Sequence, residues 1–251
     1  MTMNVSKEGL ERLQMVMDID DFANGDNKAK KAINELTEGN RIFVENRGEY
    51  YSDVTRPTFE EVSKLHQFLE GLNPELEEVM HHQTPTKAIL ACSDSRVTPD
   101  VIFSHVGFNK MFEVRNAGNI FTKEAEESMV VPASHDTPLM VICGHYKCGA
   151  MNACATQRKT QQMNEAMPTT VANLEAVAPK EITDADEIAK YNVANVAYKF
   201  ANSENPVLSG VFSGKKMKIA AAMYDIDSGR VDFMDFALVK KMLLDNSHEK
   251  A

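Results

Sequence analysis

Cys92-Ser93-Asp94-Ser95-Arg96 and, further along, Gly144-His145-Tyr146-Lys147-Cys148 hold the reactive side chains of this chain. Between them they offer thiols, an imidazole, a carboxylate and a guanidinium. Sulfur and ring-nitrogen donors suit a tetrahedral Zn²⁺, and three protein ligands leave the fourth position for water or substrate. Cys92, His145 and Cys148 are therefore the candidate metal ligands. Asp94 and Arg96 are a candidate catalytic pair, because the guanidinium fork can hold a carboxylate in one orientation. Taken singly, each cysteine reads as an inert buried thiol and the histidine as a hydrogen-bonded core residue. The combination carries the metal reading.

Each cluster follows an apolar run that reads as a buried strand, Lys87-Ala88-Ile89-Leu90-Ala91 before the first and Pro138-Leu139-Met140-Val141-Ile142 before the second. Parallel strands end at the same edge of a sheet, so both clusters would meet there. Met111 to Val114 predicts another strand. Thr98-Pro99-Asp100 opens a helix through His105, Thr122 opens one to about Ser134, and a further helix starts at or just before Cys148. Thr183 or Asp184 caps a helix ending at Ala201. Lys216 to Ile226 and Arg230 to Phe233 predict a hairpin at the sheet edge. This alternation argues for an α/β fold with a mainly parallel sheet, an antiparallel edge strand and flanking helices. Upstream, Val5, Leu10, Leu13, Val16 and Met17 mark an N-terminal helix, able to pack on a partner subunit or on its own domain. Ala29, Ala32, Ile33, Leu36, Phe43 and Val44 mark a second helix. Gly48 to Pro57 and Thr156 to Met167 read as polar loops. Thr58 and Glu61 form a capping box before a helix carrying Val62, Leu65, Leu69 and Leu72. The division expected is a helical arm over 1–28 and a single zinc domain over 29–251.

The 251 residues carry a net charge of -10, which argues against a nucleic-acid partner. The plain reading of that charge is solubility. No apolar run reaches the length of a membrane span, and no secretory signal is visible. The chain contains 4 cysteines, too few for a disulfide framework, and a reducing compartment, the cytoplasm, is the expected location. Cys143 and Cys154 read as core thiols.

The paired Cys-x-Asp-x-Arg and His-x-x-Cys-Gly motifs resemble those of the β-class carbonic anhydrases. The resemblance extends through Leu36-Thr-Glu-Gly39-Asn40-Arg-Ile-Phe43, Phe112-Glu-Val-Arg115-Asn116-Ala-Gly118-Asn119 and Tyr224-Asp-Ile-Asp-Ser-Gly229. It implies one zinc per chain on Cys92, His145 and Cys148, and reversible hydration of CO₂ to bicarbonate and a proton by a zinc-bound hydroxide. Asp94 would either orient the attacking oxygen while paired to Arg96 or move onto the metal as a fourth ligand. Gln83 would reach the CO₂ or bicarbonate pocket across a subunit boundary, and Phe112 would form an aromatic wall of that pocket. A homodimer or larger assembly is implied. Val130 stands where plant-like members carry a tyrosine, and the absence of tryptophan rules out the Trp-containing bicarbonate side site of some bacterial members. His81, His82 and His105 are proton-shuttle candidates by residue type. Other readings are a carbonyl sulfide or carbon disulfide hydrolase on the same scaffold, and a non-catalytic zinc or bicarbonate sensor.

Overall fold

Ala88, Leu90 and Cys92 belong to the core on one face of the first strand, Ile89 and Ala91 to the core on the other. Burial on both faces requires helices on both sides of a parallel sheet. The computed structural model describes residues 5–21, 27–52, 81–105 and 109–247, with the backbone alone over 47–52. Its strands are β1 (Ala88–Cys92), β2 (Phe112–Asn116), β3 (Leu139–His145), β4 (Lys218–Tyr224) and β5 (Val231–Met234), in the spatial order β2-β1-β3-β4-β5. The first four are parallel, and β5 returns antiparallel against β4. This is the mainly parallel sheet with an antiparallel edge that the sequence predicts. From β1 the chain passes to one side of the sheet, and from β3 to the other. The crevice beyond the carboxyl ends of β1 and β3 is thus the switch point where α/β folds hold ligands.

The helices are α1 (Lys7–Met17), α2 (Lys28–Ser52), α3 (Pro99–Ile102), α4 (Lys123–Ser134), α5 (Gly149–Thr160), α6 (Pro168–Glu175), α7 (Ala185–Ala201), α8 (Pro206–Ser213) and α9 (Phe236–Asn246). Helix α2 lies on one sheet face, where Ala32, Leu36 and Phe43 pack with Val141, Cys143 and Tyr224. The other face carries α1, α4, α5, α7 and α9, the last through Val239 and Met242. α7 is the central helix of that layer, with residues from Ile188 to Ala201 buried along most of its length. α1 sits in this layer: Leu13 and Val16 are buried, Tyr198 Oη accepts from Ser6 N, and the buried Lys218 Nζ donates to Met15 O at 2.8 Å.

Several boundaries differ from the sequence reading. α2 runs through Ser52, because one glycine, Gly48, costs a long helix only about 1 kcal/mol. α3 stops at Ile102, and Ser104 adopts φ +50°. β2 is shifted to end at Asn116. α5 continues through Thr156 to Thr160 rather than giving way to a loop. Its polar Arg158 is buried, pairing with Glu175 and donating to the carbonyls of Glu175, Ala178, Pro179 and Ile182. That bonding lets a charged residue sit inside. The short helices α6 and α8 open on proline, and Asn205 caps α8 by accepting from Val207 N and Leu208 N. The capping box at Thr58 and the helix after it lie outside the described residues.

Candidate metal centre

β1 delivers Cys92 at its last position, and β3 delivers His145 at its own. Cys148 follows as the N-cap of α5. Among the described residues, these three form the group able to hold a metal ion, with ligand atoms all within 4.8 Å of one another. The Cys92 and Cys148 sulfurs are 3.9 Å apart. Two thiolates on one tetrahedral zinc, at about 2.3 Å each, would stand ~3.8 Å apart. His145 is fully buried. Its Nδ1 is 2.9 Å from Tyr146 O and donates to it, which leaves the Nε2 lone pair free. Nε2 has no partner and is buried. An unpaired buried acceptor facing two sulfurs is the arrangement that a zinc ion completes. The donors therefore fit the metal.

The two thiols also influence each other. The hydrogen bond from Cys148 holds the Cys92 thiol well below its ordinary range, helped by the N–H groups of Gly118 and Asp94. Cys148 is pushed up in turn by its bond to Cys92 and by burial. Gly118 N donates to Cys92 Sγ at 3.3 Å, from a turn in which Gly118 has φ +77°, a conformation open to glycine.

Asp94 and Arg96 form the bidentate pair expected from the sequence. Arg96 Nε donates to Asp94 Oδ1 at 2.9 Å, and a terminal guanidinium nitrogen donates to Oδ2 at 2.7 Å. That guanidinium holds the Asp94 carboxyl down at about 2. Arg96 also reaches Lys147 O at 3.3 Å, linking the two loops.

Residues not singled out above complete the frame. Arg115 donates to the carbonyls of Cys92, Asp94 and Val97, fastening the loop after β1. Asp186 accepts from Lys147 N at 2.7 Å, and Lys147, at φ +58°, pairs through its ammonium with Asp227. Asn192 donates to Gly118 O at 2.9 Å. The visible signal for Asn192 is a polar residue on an otherwise apolar helix face. Arg115 lies within a motif that the resemblance already includes. Asp186 carries no sequence signal beyond its place near a helix start.

Other expected residues lie away from the cluster. Gln83 is exposed in the segment before β1. Phe112 opens β2 opposite Ala88, at the amino end of the strands and roughly 13 Å along from Cys92. Val130 is half-buried on α4. His81 and His82 are exposed, while His105 Nδ1 donates to Phe103 O and its ring lies near Glu35. Cys143 and Cys154 are buried core thiols.

A carbonic anhydrase family model matches residues 87–231. The carbonic anhydrase of Pseudomonas aeruginosa is 28% identical over 169 residues, covering 62% of this chain and 76% of that protein. The solved β-carbonic anhydrase CcaA superposes with a TM-score of 0.57 at 24% identity, covering 70% of this chain and 94% of that one. Tetrameric β-carbonic anhydrases from the ascomycete Sordaria macrospora give a TM-score of 0.51 at 18% identity, over 70% of this chain and 93% of theirs. With the family match spanning both cysteine-bearing loops and the sheet between them, the chain belongs to the β-class of the carbonic anhydrase family.

Proposed function

We propose that Cys92, His145 and Cys148 hold the Zn²⁺ with which this chain hydrates CO₂ reversibly to bicarbonate and a proton. One observation carries the reading: two sulfurs at 3.9 Å converge with an imidazole Nε2 that is buried and unpaired. Bound zinc supplies Lewis acidity that brings the pKa of water towards about 7 in well-formed sites. Arg96 keeps Asp94 ionised and fixed in direction through the bidentate contact. Asp94 accepts a hydrogen bond from the attacking water and so aims its lone pair at the CO₂ carbon. Tyr146 O fixes the tautomer of His145. With both its oxygens engaged by Arg96, Asp94 stands off the ligand set, which supports the orienting role over that of a fourth ligand.

Gln83 and Phe112 belong to the pocket of a partner subunit in this reading. An exposed Gln83 and a Phe112 at the amino end of its strand, away from Cys92, are consistent with a pocket shared between chains. The tetramers of Sordaria macrospora support a homo-oligomer. In this reading a helical arm over 1–28 packs through Leu13 and Val16 onto one zinc domain over 29–251. No described helix is long and apolar enough to cross a membrane, and free cysteines fit the reducing cytoplasm. No observation favours the carbonyl sulfide, carbon disulfide or sensor readings.

Asp94→Asn is the discriminating variant. It should retain zinc in the wild-type amount and lose most CO₂ hydration, by roughly 10²-fold or more, as removal of a proton-handling group does. Stopped-flow hydration beside metal analysis measures both. Unchanged turnover would remove Asp94 from the mechanism, and active protein without metal would remove the zinc.

A further inference from the structure

We propose that Asn192, on α7, is a positioning residue for the Cys92 thiolate. It acts through the Gly118 turn and makes no contact with substrate or metal. The inference rests on the reading of Cys92 as a zinc ligand.

The chain of contacts runs from helix to sulfur. Asn192 Nδ2 donates to Gly118 O at 2.9 Å and lies 3.4 Å from Asn119 O. Gly118 N in turn donates to Cys92 Sγ at 3.3 Å. Asn116 ties the ends of the same turn, its Oδ1 accepting from Ile120 N and its Nδ2 donating to Ile120 O. Asn192 is the clamp at the centre of the turn, where the left-handed Gly118 directs its N–H at the sulfur. An N–H···S bond draws charge from the thiolate and fixes the direction of the lone pair left for the metal. Partners of this kind set ligand orientation and metal affinity.

Asn192 is costly where it stands. It is 1% exposed, among Ile188, Ala189, Val193 and Val196 of its own helix. The two carbonyls facing one end of its amide identify that end as nitrogen. Its Oδ1 has no hydrogen-bond partner. A buried amide that leaves one end unpaired weakens the fold relative to leucine, so its donor end is where a function is to be sought. The donor's target is the turn that addresses Cys92.

The test uses the full chain with Asn192→Leu, which removes the donor at similar size, and Asn192→Val, which removes it in a smaller apolar side chain. Zinc affinity is read by chelator competition, and sulfur character by the sulfur-to-cobalt charge-transfer band of the Co²⁺-substituted protein. The zinc Kd should rise about 10-fold or more. The charge-transfer band should move to longer wavelength as the sulfur regains electron density. Asn195→Ala, at another buried position of the same helix, should lower Tm and change neither readout, which separates positioning from general loss of packing. Should Asn192→Leu fail to fold, the smaller Asn192→Val carries the comparison. Wild-type Kd and an unshifted band in either folded variant would overturn the inference. Wild-type protein that takes up neither zinc nor cobalt would instead overturn the metal reading beneath it.

Discussion

Cysteine chemistry in this chain is sorted by surroundings. Cys92 and Cys148 face each other, while Cys143 lies on the opposite face of the sheet and is pushed up to about 12 by burial. Cys154 is pushed up to about 11, again chiefly by burial. Thiolates react and thiols do not. With zinc in place, all the cysteines should react slowly with a thiol reagent. Chelation should release a fast phase confined to the Cys92–Cys148 pair. Cys92→Ser should abolish that phase, and a fast phase persisting in Cys92→Ser would contradict the assignment. The residues of this centre were legible in the sequence because their types are chemically committed: few uses account for Cys, His, Asp and Arg at these spacings. Arg115, Asp186 and Asn192 were not, because each works by holding a backbone carbonyl or N–H. Backbone geometry leaves little trace in residue type.

Strands and helices that carry the centre were legible where the pattern was strong. The buried runs before Cys92 and before His145, the Thr122 cap of α4 and the Asp184 cap of α7 all read directly from residue order. α6, α8 and α9 are not read from the sequence, because two or three turns give too short a stretch for a period to stand out. α5 was cut short because Arg158 looks like a surface residue until its carbonyl partners are known. α7 packs closely against β3. A methyl added at Gly144 would stand 2.5 Å from Val193 Cγ2 and 2.9 Å from Met223 Sδ. Gly144→Ala should therefore push α7 away from β3 and cost about 1–3 kcal/mol, as overpacking in a filled core does. Because Gly144 precedes His145 and α7 carries Asp186 and Asn192, zinc affinity should fall with stability. Denaturant unfolding and chelator competition measure the two. A variant with wild-type stability would mean that the close approach has slack.

Over the whole molecule, the sheet order was legible only as a class. Which strands neighbour each other follows from helices crossing between them, and a single strand's pattern does not encode its partner. The N-terminal helix presents a related case: its apolar stripe was visible, but what it packs against was not. Its principal neighbours are α7, β4 and α9, and the fully buried Leu13 lies among them. Leu13→Ala should cost about 2–5 kcal/mol through the cavity it leaves. It should spare zinc content, since the helix does not supply a ligand. A scan of Tm with metal analysis checks both, and a negligible change in Tm would mean that the helix is loosely held.

The position of that helix has a consequence for biogenesis. α1 is synthesised well before Tyr198, Asn202 and Lys218, which fasten it. Until then its oily stripe has no native groove to fill. The helix must therefore wait, exposed to chaperones and to other nascent chains, until those distant partners are made.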